Sequence, residues 1–202
     1  MQKISTICIF GDSTAWGAWD IEKGGWVNRL WLYVGEKTDG ECDIYNLSIS
    51  GGTTQTILDR FEAEAKIRGV DALIFQSGGN DACLLGKDGP NQIPLDQFKR
   101  NLEKIIGWAK NLTTNIVFVG FDIVDEAKTT PVPWGDFYYT NAEIEKYNKV
   151  MSEVCQEQGT LFLDIFNLLT KEDLEDGLHP NTKGHEKTFI KARDFLERQS
   201  WF

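Results

Sequence analysis

Five apolar runs of strand length alternate with segments that carry apolar residues at helical spacing. This alternation constrains the fold more than any other feature of the chain. The runs are residues 3–10, 43–48, 70–77, 115–121 and 160–164. Ala72-Leu73-Ile74-Phe75 and Ile116-Val117-Phe118-Val119 are apolar without a break, as expected of strands covered on both faces. Between the runs, residues 26–34, 56–66, 95–112, 140–158 and 182 onward repeat apolar positions every three to four residues. Gly69 and Gly159 stand where helices end. Strand and helix in turn predict an α/β fold: a parallel sheet with helices on both faces and right-handed crossovers. The 202 residues fit one domain, 1–202.

Composition narrows the partners. A net charge of −10 argues against nucleic acid or an anionic membrane surface. No apolar run approaches the roughly 20 residues of a membrane span, so no stable membrane insertion is expected. Gly11-Asp12 cuts the first apolar run short of a signal peptide, and the expected location is cytoplasmic. Cys8, Cys42, Cys83 and Cys155 form no C-x-x-C pair and are expected to be reduced and buried. The chain has no G-x-S-x-G elbow, no phosphate-binding glycine motif and no H-E-x-x-H. No cofactor and no metal is implied.

Parallel sheets place ligands beyond the carboxyl ends of their strands. Four polar blocks lie along the chain. Gly11-Asp12-Ser13 follows the first run, Asn46-Leu47-Ser48-Ile49-Ser50-Gly51-Gly52-Thr53 the second and Gly78-Gly79-Asn80-Asp81 the third. Asp176-Gly177-Leu178-His179-Pro180 follows the fifth. Together they supply a hydroxyl, an imidazole and a carboxylate. A serine hydroxyl is a poor nucleophile until a base takes its proton, His179 can be that base, and Asp176 can hold its other ring nitrogen. Acyl transfer also needs donors for the developing oxyanion; Gly51 lets a backbone N–H approach and Asn80 offers an amide. The competing structural roles are a helix cap for Ser13 and a turn for Asn80-Asp81. Asp12 is read as support for its turn, and His185 as structural or solvated. Residues 83–94 and 122–139 are long, proline-bearing connections. In the second, Trp134, Phe137 and Tyr138 either pack the loop or line a substrate pocket.

The four blocks, in this order and over the whole chain, resemble the GDSL or SGNH hydrolases, a family of serine esterases and lipases. The resemblance implies a three-layer α/β/α sandwich with a five-stranded parallel, flavodoxin-like sheet. It implies Ser13 as nucleophile, His179 as base and Asp176 as its partner. The oxyanion hole would be the N–H groups of Ser13 and Gly51 with the Asn80 amide. Thr14 stands where the family name has leucine, and Gly51-Gly52 offers two registers, of which Gly51 is chosen. The implied activity is metal-independent hydrolysis of a small-molecule carboxylic ester through an acyl-enzyme. Within the family the alternatives are a carbohydrate O-deacetylase and a lysophospholipase or thioesterase. Outside it, the alternative is a flavodoxin-like domain that binds phosphate after the first strand.

Overall fold

The computed structural model describes residues 4–202; the expected start of the first strand at residue 3 lies outside them. Its strands are β1 (Thr6–Gly11), β2 (Asp43–Asn46), β3 (Ala72–Gln76), β4 (Leu84–Leu85), β5 (Asn115–Val119), β6 (Phe137–Tyr138) and β7 (Leu161–Leu163). The helices are α1 (Ser13–Trp16), α2 (Gly25–Lys37), α3 (Thr54–Leu58), α4 (Phe61–Arg68), α5 (Gly79–Ala82), α6 (Leu95–Ala109), α7 (Glu126–Thr129), α8 (Asn141–Gln158) and α9 (Thr182–Arg198). The five expected strands form one parallel sheet in the order β2-β1-β3-β5-β7. This is the three-layer α/β/α arrangement.

Each central strand feeds two cores because successive side chains leave opposite faces. Cys8 and Phe10 of β1, Leu73 and Phe75 of β3, and Ile116 and Phe118 of β5 face one layer, with α3, α4, α6 and α8. Ile7 and Ile9, Ala72 and Ile74, and Val117 and Val119 face the other, with α2 and α9. On the first face Phe10, Phe75 and Phe118 occupy paired positions on neighbouring strands. Their rings stack at 5.8 and 4.9 Å, an offset geometry that adds to their burial. All four cysteines are buried. No helix among the described residues is long and apolar enough to cross a membrane.

Two departures from expectation matter for the site. The helix expected over 56–66 is two helices, α3 and α4, broken at Asp59-Arg60. The two long connections also pair with each other: β4 in one and β6 in the other form a separate antiparallel ribbon. The chain leaves β1 toward β2 on one side and later toward β3 on the other. The order therefore reverses between β1 and β3, and the crevice at such a switch point is where open α/β sheets hold ligands.

Candidate active site

Ser13 lies two residues past the end of β1, beside that crevice. The cap of α1 is Asp12, whose carboxylate accepts the Thr14 N–H at 2.9 Å. Ser13 is thereby relieved of the capping role that a serine here commonly takes, and its hydroxyl faces His179. Burial pushes the Asp12 carboxyl up to about 6, opposed by the Thr14 N–H and by His179.

His179 comes from a turn just before α9. Leu174 and Pro180 bridge across that turn, and Asn181 caps the helix by accepting the Lys183 and Gly184 N–H groups. The imidazole Nε2 lies 2.9 Å from Ser13 Oγ, although 166 positions separate the two residues. Nδ1 lies 2.7 Å from Asp176 Oδ2. The other Asp176 oxygen accepts the backbone N–H of Leu178 at 2.9 Å and of His179 at 2.8 Å. Burial alone would raise the Asp176 carboxyl. The His179 ring and these N–H groups outweigh it and hold the group well below the usual carboxylate range. With the ring proton on Nδ1, Nε2 is an acceptor for the serine proton.

The second and third blocks are tied to this pair by buried polar contacts. Asn46 donates to the Ala15 carbonyl at 2.9 Å and accepts the Ser48 N–H. Asp81 is fully buried and accepts the Thr54 N–H at 3.0 Å, together with the Thr54 hydroxyl. The turn role considered for Asp81 is thus a brace between blocks. Gly51 sits at φ +75°, a backbone state that disfavours side chains. Asn80 donates to the Gly52 carbonyl at 2.9 Å, and its Oδ1 accepts the Tyr139 hydroxyl at 2.8 Å. One amide hydrogen remains, because a carboxamide carries two.

Ser13, Gly51, Asn80 and His179 line one open cleft of about 560 Å³ together with Trp134 and Phe137, and the Trp134 ring lies 6.1 Å from that of His179. Ser13, Asn80 and His179 are each only 8% exposed. Of the aromatic candidates, Tyr138 does not line the cleft; Tyr139 does. The reason is the pleat. Phe137 faces the cleft, so its neighbour on β6 turns away and the next residue returns. Behind Ser13 lies a smaller cavity of about 60 Å³, walled by Val124, Ile144, Leu178 and Tyr139 among others.

Trp19 was not anticipated from sequence. Its indole Nε1 donates to Asp176 Oδ2 at 2.7 Å, and its ring stands edge-on to His179 at 6.0 Å. Only the cluster of aromatics after the first block hinted at it. His185 is the buried structural histidine: Nε2 donates to the Ala18 carbonyl at 3.0 Å and Nδ1 accepts the Trp26 N–H. Among the described residues no group of three His, Cys, Asp or Glu side chains is placed to hold a metal ion.

Comparison with known proteins agrees with this architecture. The profile of the GDSL-like lipase/acylhydrolase family matches residues 9–187. The isoamyl acetate-hydrolyzing esterase 1 homolog of Rattus norvegicus is 24% identical over 96% of this chain and 82% of its own. The isoamyl acetate-hydrolyzing esterase of Saccharomyces cerevisiae is 25% identical over 88% of this chain and 80% of its own. Among solved structures, an α/β hydrolase from the Lake Arreo metagenome superposes with a TM-score of 0.77 at 16% identity, covering 100% of this chain and 97% of that one. An acetylxylan esterase from Geobacillus stearothermophilus gives 0.75 at 19% identity, covering 94% of each chain. These structural likenesses concern the fold; the family match also sets aside the phosphate-binding alternative. The chain belongs to the GDSL-like lipase/acylhydrolase family and is a hydrolase of ester bonds.

Proposed function

We propose that the chain, as one domain over residues 1–202, is a serine esterase whose nucleophile is Ser13. The observation that carries this reading is the unbroken line of hydrogen bonds Ser13–His179–Asp176 opening into the cleft. His179 takes the proton as Ser13 Oγ attacks the ester carbonyl. Asp176 stabilises the imidazolium, which then protonates the leaving alcohol. Water activated by His179 attacks the acyl-enzyme and releases the acid. The Ser13 N–H is a first-turn donor that no carbonyl within α1 can take. With the Gly51 N–H and the free Asn80 hydrogen it receives the oxyanion. Fluorophosphonate labelling is expected to modify Ser13 and to block hydrolysis of p-nitrophenyl acetate; modification elsewhere with activity retained would overturn the reading.

The proposed substrates are esters of short acids with larger alcohols, in keeping with relatives that bear the name isoamyl acetate-hydrolyzing esterase. The wide cleft suits the alcohol. The cavity behind Ser13 has room for about four to six water-sized groups, at roughly 10–15 Å³ each, and so for an acyl chain of about two to four carbons. Across p-nitrophenyl esters, kcat/KM is expected to fall by about tenfold or more from butyrate to octanoate. An equal rate on octanoate would refute the small acyl site.

Asn80→Ala is expected to lower kcat by roughly 10²–10³ with little change in KM, because an oxyanion donor acts only in the transition state. Tyr139→Phe removes the bond that fixes the Asn80 carbonyl oxygen. A smaller loss of kcat, about fivefold, is expected from a neutral hydrogen bond of ordinary strength. Steady-state kinetics on both variants separates the roles, since an effect confined to KM would make Asn80 a ground-state contact.

A further inference from the structure

We propose that Trp19 is a positioning residue of this site, its indole N–H holding the Asp176 carboxylate that in turn holds His179. The inference rests on the reading of Ser13, His179 and Asp176 given above. Trp19 Nε1 lies 2.7 Å from Asp176 Oδ2 and 3.2 Å from His179 Nδ1. In the tautomer that leaves Nε2 free to accept from Ser13, Nδ1 carries a proton and cannot accept another. The indole N–H therefore belongs to the carboxylate. Asp176 is then held at both ends. One oxygen takes two backbone N–H groups of its own turn, and the other takes the imidazole and the indole. Without the indole, Oδ2 keeps the histidine alone, and no hydrogen bond among the described residues ties the carboxylate to a group outside its own turn.

The backbone indicates that Trp19 is placed rather than packed. It sits at φ +68°, a left-handed conformation that few non-glycine residues adopt, and its side chain gains little burial, since the residue is 53% exposed. Such strain persists where neighbours over-determine it. Here both neighbours are fixed. The Ala18 carbonyl accepts from the buried His185 ring on α9. The Asp20 carboxylate is paired with the buried Arg29 guanidinium of α2 and accepts the Gly25 N–H at 2.9 Å and the Thr182 hydroxyl at 3.0 Å. Two anchors, from both helices of one layer, pin the backbone on each side of an exposed indole whose N–H reaches the carboxylate. His185 thus supports the site at one remove.

Trp19→Phe keeps an aromatic ring at the mouth of the cleft and removes only the donor. On p-nitrophenyl acetate it is expected to lower kcat about three- to tenfold with KM within about twofold, at an unchanged melting temperature. The Nδ1 proton resonance of His179 is expected to broaden as the carboxylate loosens; His185 does not contribute there, because its Nδ1 is an acceptor. An unchanged kcat, or a rise in KM alone, overturns the proposal and leaves Trp19 as a wall of the cleft. Asp176→Asn measured alongside distinguishes the two readings. Full activity in that variant refutes the role of Asp176 itself, and with it this proposal. A large loss there with no effect of Trp19→Phe refutes the positioning role alone.

Discussion

Ser13→Ala is expected to lower kcat on p-nitrophenyl acetate by on the order of 10⁴–10⁶ while leaving the fold intact. The size follows from the loss of the covalent route. Ser50 also lines the cleft, but the hydroxyl 2.9 Å from His179 Nε2 belongs to Ser13. Residual turnover would come from water attacking an ester still held by the Gly51 and Asn80 donors. Folding is expected to survive because Asp12, and not Ser13, caps α1. The check is kcat together with a melting curve and the fluorophosphonate label. A variant that keeps more than about one part in a hundred of the activity would remove Ser13 from the mechanism.

Asp176→Asn is expected to cost about 10⁴ in kcat, the scale seen when a triad carboxylate becomes an amide of the same shape. The two backbone N–H groups of Leu178 and His179 require an acceptor, so the amide oxygen takes the place of Oδ1. The NH₂ then faces Nδ1 and forces it to accept. The ring proton moves to Nε2, which can no longer take a proton from Ser13. In the wild type Asp176 is held well below the usual carboxylate range, so it stays charged as pH falls. An acidic loss of activity then has a source other than protonation of Asp176. Kinetics across pH tests this. A loss below about tenfold in Asp176→Asn would show that His179 is oriented by other contacts.

Much of the fold was legible because the central strands β1, β3 and β5 are buried on both sides and so are short apolar runs, while the flanking helices carry one apolar stripe each. The break between α3 and α4 was not legible. Ile57, Phe61 and Ala65 keep a four-residue spacing straight across it, so periodicity is blind to the kink. The β4–β6 ribbon was hidden for a different reason: each strand has two residues, too few to show alternation, and the partners lie about fifty positions apart. The same brevity put Tyr138 in place of Tyr139 on the cleft wall. The residues proposed for the site, Ser13, Gly51, Asn80, Asp176 and His179, could be nominated from sequence because each stands in a short local motif. The roles proposed for Trp19 and Tyr139 rest on long-range hydrogen bonds that no local pattern marks.

The reach from Ser13 to His179 has a consequence for how the protein is lost. The imidazole is carried on the turn that leads into α9, and that helix packs against α2 and bonds the Ala18 carbonyl through His185. The proposed reactive pair is therefore a contact between the first and last structural units, of the kind whose loop-closure entropy makes it late to form and early to open. Detachment of the last helix would leave β1, β3 and β5 paired and most helical signal in place, yet separate base from nucleophile. On gentle heating or in mild denaturant, catalysis should then vanish before circular dichroism changes. Turnover would serve as a gauge of docking at one seam, not of how much of the chain is folded.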